Sequence, residues 1–181
     1  MSKHTTIVSI LILSLSMILP STSHALGGND AYVGVSAGQA TFTRQSDPDE
    51  TAVGYKIFAG LHATGPFYAE ISHVNLGTYF KDTTSEFEVS GNAFHLVGKL
   101  PFSPSIYALA KVGLFSWDVE YQDSNISRTG TDTTYGFALG WAMPSGYTVR
   151  VEWEHYADIG KYNTYTGNDM TLLTLGIQMH F

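Results

Sequence analysis

The sequence predicts an all-β fold, an eight-stranded antiparallel up-and-down transmembrane β-barrel. Three observations predict it. Apolar residues recur at every second position in runs of about ten residues separated by turn signals, which is how a strand with one lipid-facing side reads. The connectors between runs alternate short and long, the rhythm of hairpins that turn tightly at one end of a barrel and loosely at the other. The closing stretch Thr171–Phe181, TLLTLGIQMHF, sets Leu173, Leu175, Ile177, Met179 and Phe181 on one face against Thr174, Gly176, Gln178 and His180 on the other. Composition agrees: aromatics are 13 % of the 181 residues, glycines number 18, and cysteine is absent, so neither a disulfide scaffold nor a thiolate metal site is available.

The chain opens with Lys3, an apolar run from Ile7 to Leu19, Pro20, and Ser23-His24-Ala25 with small residues where a signal peptidase reads. Residues 1–25 are therefore expected to be an export signal. The run is too short to span a bilayer as a helix, and no later stretch is long enough either. Residues 26–181 are expected to be one outer-membrane barrel domain. Removing Lys3 leaves eight basic residues against sixteen acidic ones, 8 − 16 = −8, a balance unsuited to binding nucleic acid.

Eight runs follow in order: Ala31–Phe42, Val53–Ala63, Phe67–Leu76, Ala93–Leu100, Ile106–Trp117, Thr134–Met143, Tyr147–Tyr156 and Met170–Phe181. Thr64-Gly65-Pro66, residues 101–105 and Pro144-Ser145-Gly146 are short, turn-forming connectors. The intervening segments at 43–52, 77–92, 118–133 and 157–169 are long and polar. In the second run Val53, Tyr55, Ile57, Ala59 and Leu61 face away from Lys56, Phe58, Gly60 and His62. The sixth opposes Tyr135, Phe137, Leu139 and Trp141 to Gly136, Ala138 and Gly140, and the seventh opposes Tyr147, Val149, Val151, Trp153 and His155 to Thr148, Arg150, Glu152, Glu154 and Tyr156.

The strong acids and bases inside the runs are Lys56, Glu70, Lys99, Lys111, Arg150, Glu152 and Glu154, and each falls on the face opposite the greasy one. They are expected to pair as an ion network in a polar lumen while the apolar face meets lipid. A soluble ligand-carrying barrel would invert the two faces, which periodicity by itself does not order. Aromatic residues near both ends of the runs, with Tyr55, Tyr135 and Trp153 towards one rim and Phe67, Trp141, Tyr147 and Phe181 towards the other, favour lipid outside.

The stretches FYAEISHVNLG (Phe67–Gly77), HLVGKLPFSPSIYALAKVGLF (His95–Phe115), YTVRVEWEHYADIG (Tyr147–Gly160) and LGIQMHF (Leu175–Phe181) resemble the small outer-membrane β-barrel proteins related to the transmembrane domain of outer membrane protein A. The resemblance covers nearly all of the chain beyond residue 25. It implies a periplasmic N-terminus, a terminal aromatic strand ending at Phe181 that the outer-membrane assembly machinery reads, and an interior ion-pair network. It carries no peptidoglycan-binding domain over.

Chemistry is sparsely signalled. His4 and His24 fall in the signal, and the other five histidines lie on different runs without His-x-x-x-His or His-Glu-x-x-His spacing, so no metal and no cofactor is expected. His62 and His95 are expected to face the lumen, His73 and His155 the lipid. A lipid A-modifying barrel enzyme needs a histidine base against a nucleophile. Ser72-His73 are adjacent and so point to opposite faces, and the chain has no His-x-Ser. The long connectors hold four bases against twelve acids, 4 − 12 = −8. The expected role is structural or surface-interacting through acidic extracellular loops, as a monomer contacting outer-membrane lipid, lipopolysaccharide and an extracellular ligand that the sequence does not name. A lipid A-directed enzyme and a small pore are the alternatives.

The mature chain should begin at Leu26, which N-terminal sequencing of the membrane fraction checks. Changing Phe181 to Asp should leave export intact and block outer-membrane assembly, so the variant should collect in the periplasm and be absent from the surface.

Overall fold

Runs of alternating polarity become strands because a pleated chain sends successive side chains to opposite faces, and a sheet must then bury or solvate each face whole. The computed structural model describes residues 31–43, 49–80, 86–121, 126–160 and 167–181. The expected signal, Leu26 and the middles of the four long connectors lie outside the described residues. The strands are β1 (Ala31–Thr43), β2 (Glu50–Thr64), β3 (Phe67–Tyr79), β4 (Phe87–Pro101), β5 (Ile106–Tyr121), β6 (Ile126–Ala142), β7 (Tyr147–Ile159) and β8 (Asn168–His180). Each pairs antiparallel with its sequence neighbours, and β1 pairs with β8, so the sheet closes in the order 1 to 8. Val35, for example, sits opposite Ile57 on one side and Ile177 on the other. Closure removes both edges, the condition under which a sheet can live in hydrocarbon.

The strands run further than the apolar alternation suggested, chiefly towards the long connectors. β4 begins at Phe87 rather than Ala93, β5 ends at Tyr121 rather than Trp117, and β6 begins at Ile126 rather than Thr134. Beyond the greasy zone the outward side chains become Ser90, Glu88, Asp118, Thr129 and Ser127, so a template requiring apolar residues outside stops too early. Hydrogen-bonded pairing does not stop there: Val89 faces Val119, and Val119 faces Arg128. Glu88, Asp118, Glu120, Arg128, Asp132, Asp158 and Asp169, expected in loops, therefore stand on strands. At the other end β8 stops at His180, and the Phe181 N–H donates to the Ala31 carbonyl at 2.9 Å.

Two irregularities aim the long ends. In β3 the register slips between Asn75 and Gly77, where Gly77 takes φ 91°, a conformation other residues rarely adopt, and its N–H donates to Asn75 Oδ1 at 2.8 Å. In β7 it slips between Tyr156 and Ile159 around Asp158, φ 56°.

The outer wall is apolar: Val35, Ile57, Ile71, Phe94, Leu114, Phe137, Leu139, Leu173 and Leu175 are all largely exposed. Inside, the lumen is not polar along its whole length. Its long-connector half is a buried apolar cluster including Phe42, Leu76, Tyr79, Phe87, Phe115, Trp117, Met170 and Leu172. From the upper part of the lipid zone outward, where Phe115 and Leu172 alternate with lipid-facing Leu114 and Leu173, the inward residues pack against one another like an ordinary core. Small inward residues make room elsewhere: a Cβ on Gly140 would meet the Tyr107 ring and one on Gly60 the Tyr32 ring. This filling generates an asymmetry between the faces. Phe115→Ala should lower unfolding stability by roughly 3–5 kcal/mol because it opens a cavity, and Leu114→Ala on the neighbouring lipid-facing position by far less. Urea titration followed by heat-modifiable gel mobility measures both.

Candidate functional site

Midway along the lumen six charged side chains meet. β2 contributes Lys56, β3 Glu70, β5 Lys111, and β7 supplies Arg150, Glu152 and Glu154 at two-residue spacing, which puts all three on one face. All six are buried. Lys111 Nζ donates to three carboxylates, Glu70 Oε1 at 2.6 Å, Glu152 Oε1 at 2.5 Å and Glu154 Oε1 at 2.7 Å. Lys56 Nζ donates to Glu154 Oε2 at 2.7 Å and also to Glu152. Arg150 Nη1 donates to Glu70 Oε2 at 2.9 Å and to Gln178 Oε1 at 3.2 Å. Its Nε lies 2.6 Å from Glu152 Oε2, a close ion pair out of line for a hydrogen bond, and Nη2 has no hydrogen-bond partner among the described residues.

Three cations against three carboxylates leave the cluster neutral, which is what burial requires of charges. Neutral groups extend it: Tyr32 donates to Glu70 Oε2 at 2.7 Å, and Tyr156 donates to Glu154 Oε2 at 3.0 Å. Phe58 lies beneath two of the cations, its ring centroid 5.2 Å from Lys56 Nζ and 4.7 Å from Arg150 Cζ.

Lys99, expected in this network, does not belong to it. Its side chain points inward near the tight-turn end, half-buried, with Nζ 4.2 Å from the Tyr107 ring centroid and 5.9 Å from that of Tyr68. The sequence placed it on the correct face but gave no height, and no carboxylate on the described strands reaches that level. The same mouth holds Gln178, whose Nε2 donates to the Tyr107 hydroxyl at 3.0 Å, and His180. The space left among these residues is about 10 Å³.

Two groupings were not legible in the sequence. Donor atoms of Glu70, His95 and Glu154 lie within 4.8 Å of one another, metal-ligand spacing assembled from three strands. Lys111 Nζ already bonds both carboxylates, so an ammonium does there what a metal ion would do. The second is an outer-wall pair, His155 Nε2 and Asp169 Oδ2 at 3.8 Å, beside a stack of Tyr135, Trp153 and Phe137. Ser72 is buried in the lumen while His73 is exposed outside, as their adjacency requires. His73 is bonded to Asn92, not to a serine. Phe181 lies at the tight-turn end beside Ala31.

The sequence profile of a family described as outer membrane protein beta-barrel domain matches residues 9–181. Among curated proteins none matches significantly. Solved structures share the fold: Neisserial surface protein A, NspA, is 16 % identical with a TM-score of 0.67, over 86 % of this chain and 100 % of that one. Ail, the attachment invasion locus protein of Yersinia pestis, is 12 % identical with a TM-score of 0.57, over 83 % and 97 %, and one of its structures is in complex with the heparin analogue sucrose octasulfate. The N-terminal β-barrel domain of Pseudomonas aeruginosa OprF is 14 % identical with a TM-score of 0.57, over 85 % and 99 %.

Arg150→Ser should strand Glu70 and Glu152 and lower stability by about 3–5 kcal/mol, the usual cost of removing one partner from a buried ion pair. Lys99→Ser, outside the network, should cost much less. Thermal unfolding of the two variants in one detergent checks the ranking.

Proposed function

We propose, from the premise that the chain belongs to the outer membrane protein beta-barrel domain family, that it is a sealed outer-membrane scaffold. It contributes structure and presents an acidic outer surface for interaction, and it neither conducts nor catalyses. In this reading residues 1–25 direct export, the mature chain starts at Leu26, the assembly machinery reads the end at Phe181, and the long connectors face outward.

One observation carries the reading: the lumen is filled twice over. An interior of eight strands is only just wide enough for side chains. Here Lys56, Glu70, Lys111, Arg150, Glu152 and Glu154 fill the middle, and Phe115, Trp117, Met170, Leu172 and their neighbours close the outer half with a mainly apolar cluster. Ions crossing it would have to break the network and then enter an apolar plug. What the protein contacts therefore meets its outward surfaces.

The charge of that surface limits its partners. Asp49, Glu120 and Asp169 are exposed where the strands leave the apolar zone. A sulfated polyanion such as the one seen with Ail would be repelled there, so binding of that kind is not carried to this chain. A basic or neutral partner, or lipopolysaccharide bridged by divalent cations, suits it.

Purified protein in planar bilayers should give no steady conductance, and Arg150→Ser should raise single-channel events. Lipid A mass spectra of cells with and without the protein should be identical. Large conductance of the unaltered chain would move the pore reading ahead, and loss or gain of an acyl chain dependent on His155 would move the enzyme ahead.

A further inference from the structure

The outer wall is interrupted on one side by a row of hydrogen-bonding residues, in which the Thr131 hydroxyl donates to Ser116 Oγ at 3.4 Å and His73 bonds Asn92. His73 on β3 pairs in register with Asn92 on β4, Asn92 with Ser116 on β5, and Ser116 with Thr131 on β6. All four side chains are exposed on the outward face. Directly beneath the first three in the same columns are Ile71, Phe94 and Leu114, each more than half exposed at 61 %, 57 % and 54 %, and beneath Thr131 is Thr133. Above them on the same face come Ser90, Glu88, Asp118 and Glu120.

The row is not simply the rim. At a rise of about 3.3 Å per residue and a tilt of about 40°, a strand gains roughly 2.5 Å of height per residue, against an apolar band about 25 Å tall. Ser116 follows Ile106 by ten residues (116 − 106 = 10), which places it about 25 Å up, at the edge of the band. His73 follows Phe67 by only six (73 − 67 = 6), about 15 Å up and well inside it. The row therefore climbs from within the hydrocarbon to its outer edge. A polar side chain facing lipid at depth is costly unless something satisfies it.

His73 Nδ1 and Asn92 Oδ1 are 3.1 Å apart. If the ring donates, its Nε2 is left as an acceptor and the Asn92 NH2 as a donor. If the amide is turned, the ring N–H becomes the free donor and the amide oxygen the free acceptor. Either way the pair keeps at least one donor and one acceptor beyond its own bond. Among the described residues no other group bonds them.

We propose that this row is a binding site for an outer-leaflet lipid whose acyl chains are amide-linked and hydroxylated. Its chains lie on Ile71, Phe94 and Leu114, and its amide and hydroxyl groups bond His73, Asn92, Ser116 and Thr131. The free acceptor selects this chemistry. Below its headgroup a glycerophospholipid offers ester carbonyls, which accept only, whereas an amide N–H or an acyl hydroxyl supplies the missing donor. The site rests on the outer-membrane reading above, but its chemistry is measurable apart from location.

The test uses the mature chain refolded in detergent micelles, with folding established by heat-modifiable mobility. Purified lipid A is the probe and phosphatidylethanolamine the comparison. Native mass spectrometry should show lipid A retained about tenfold more than phosphatidylethanolamine. Asn92→Leu and the double variant His73→Phe/Asn92→Leu, which replace polar lipid-facing groups by apolar ones and should still fold, are expected to lose that preference. Thr171→Val, a polar-to-apolar change on the outward face of β8, should keep it. Equal retention of both lipids by the unaltered chain, or undiminished preference in the folded double variant, overturns the proposal. So does conversion of a dimer to a monomer by the double variant, which would make a second copy of the chain the occupant. Absence of the protein from the outer-membrane fraction of cells would instead defeat the location and leave the micelle result to decide the site.

Discussion

Every backbone amide in hydrocarbon must be bonded within the protein, and the rest of this structure follows from that constraint. It forces β1 onto β8 and so converts a linear meander into a closed wall. Closure fixes the interior at the width of eight strands, which side chains must fill. What fills it is decided by the inward half of each alternation. Lys56, Glu70, Lys111, Arg150, Glu152 and Glu154 are affordable there because closure also brings three acids and three bases from four strands into one neutral cluster. In a flat open sheet Lys56 on β2 would not reach Glu152 and Glu154 on β7.

The two halves of the lumen solve different problems. In the middle, where the wall is wrapped in lipid, outward residues are mostly apolar, the row that starts at His73 excepted, and the charged residues are confined inside. Further out the wall rises into a polar setting, outward positions turn to Ser, Thr and acid, and inward positions such as Trp117, Val119 and Met170 become a core. Polarity of the two faces thus exchanges along the same strands. Trp117 marks the change, since its indole N–H donates to Asp132 Oδ2 at 2.8 Å at the edge of an otherwise apolar cluster.

Identities of 12–16 % to NspA, Ail and OprF show shared architecture only. The acidic rim and the row from His73 to Thr131 are features of this chain's own residues. They sit on the two surfaces, aqueous and lipid, that a sealed lumen leaves free for contact.

Strand number, antiparallel order, the facing of every charged residue within the runs, and the tight turns after β2, β4 and β6 were legible in the sequence. Each depends on local alternation or local turn chemistry, which a chain displays residue by residue. The strand ends beyond the apolar zone were not legible, because the outward face there loses the polarity contrast on which alternation is read. Height along the barrel was hidden as well. The sequence assigned Lys99 and Lys111 to the same face, but only the register, which sets Lys111 opposite Gly136 and Lys99 opposite Leu109, decides that Lys111 meets three glutamates while Lys99 meets two tyrosine rings. The juxtaposition of His73 with Asn92, Ser116 and Thr131 is of the same kind. Alternation tells which way a side chain points, whereas its neighbours are chosen by the stagger of strands far apart in sequence, and that belongs to the closed barrel as a whole.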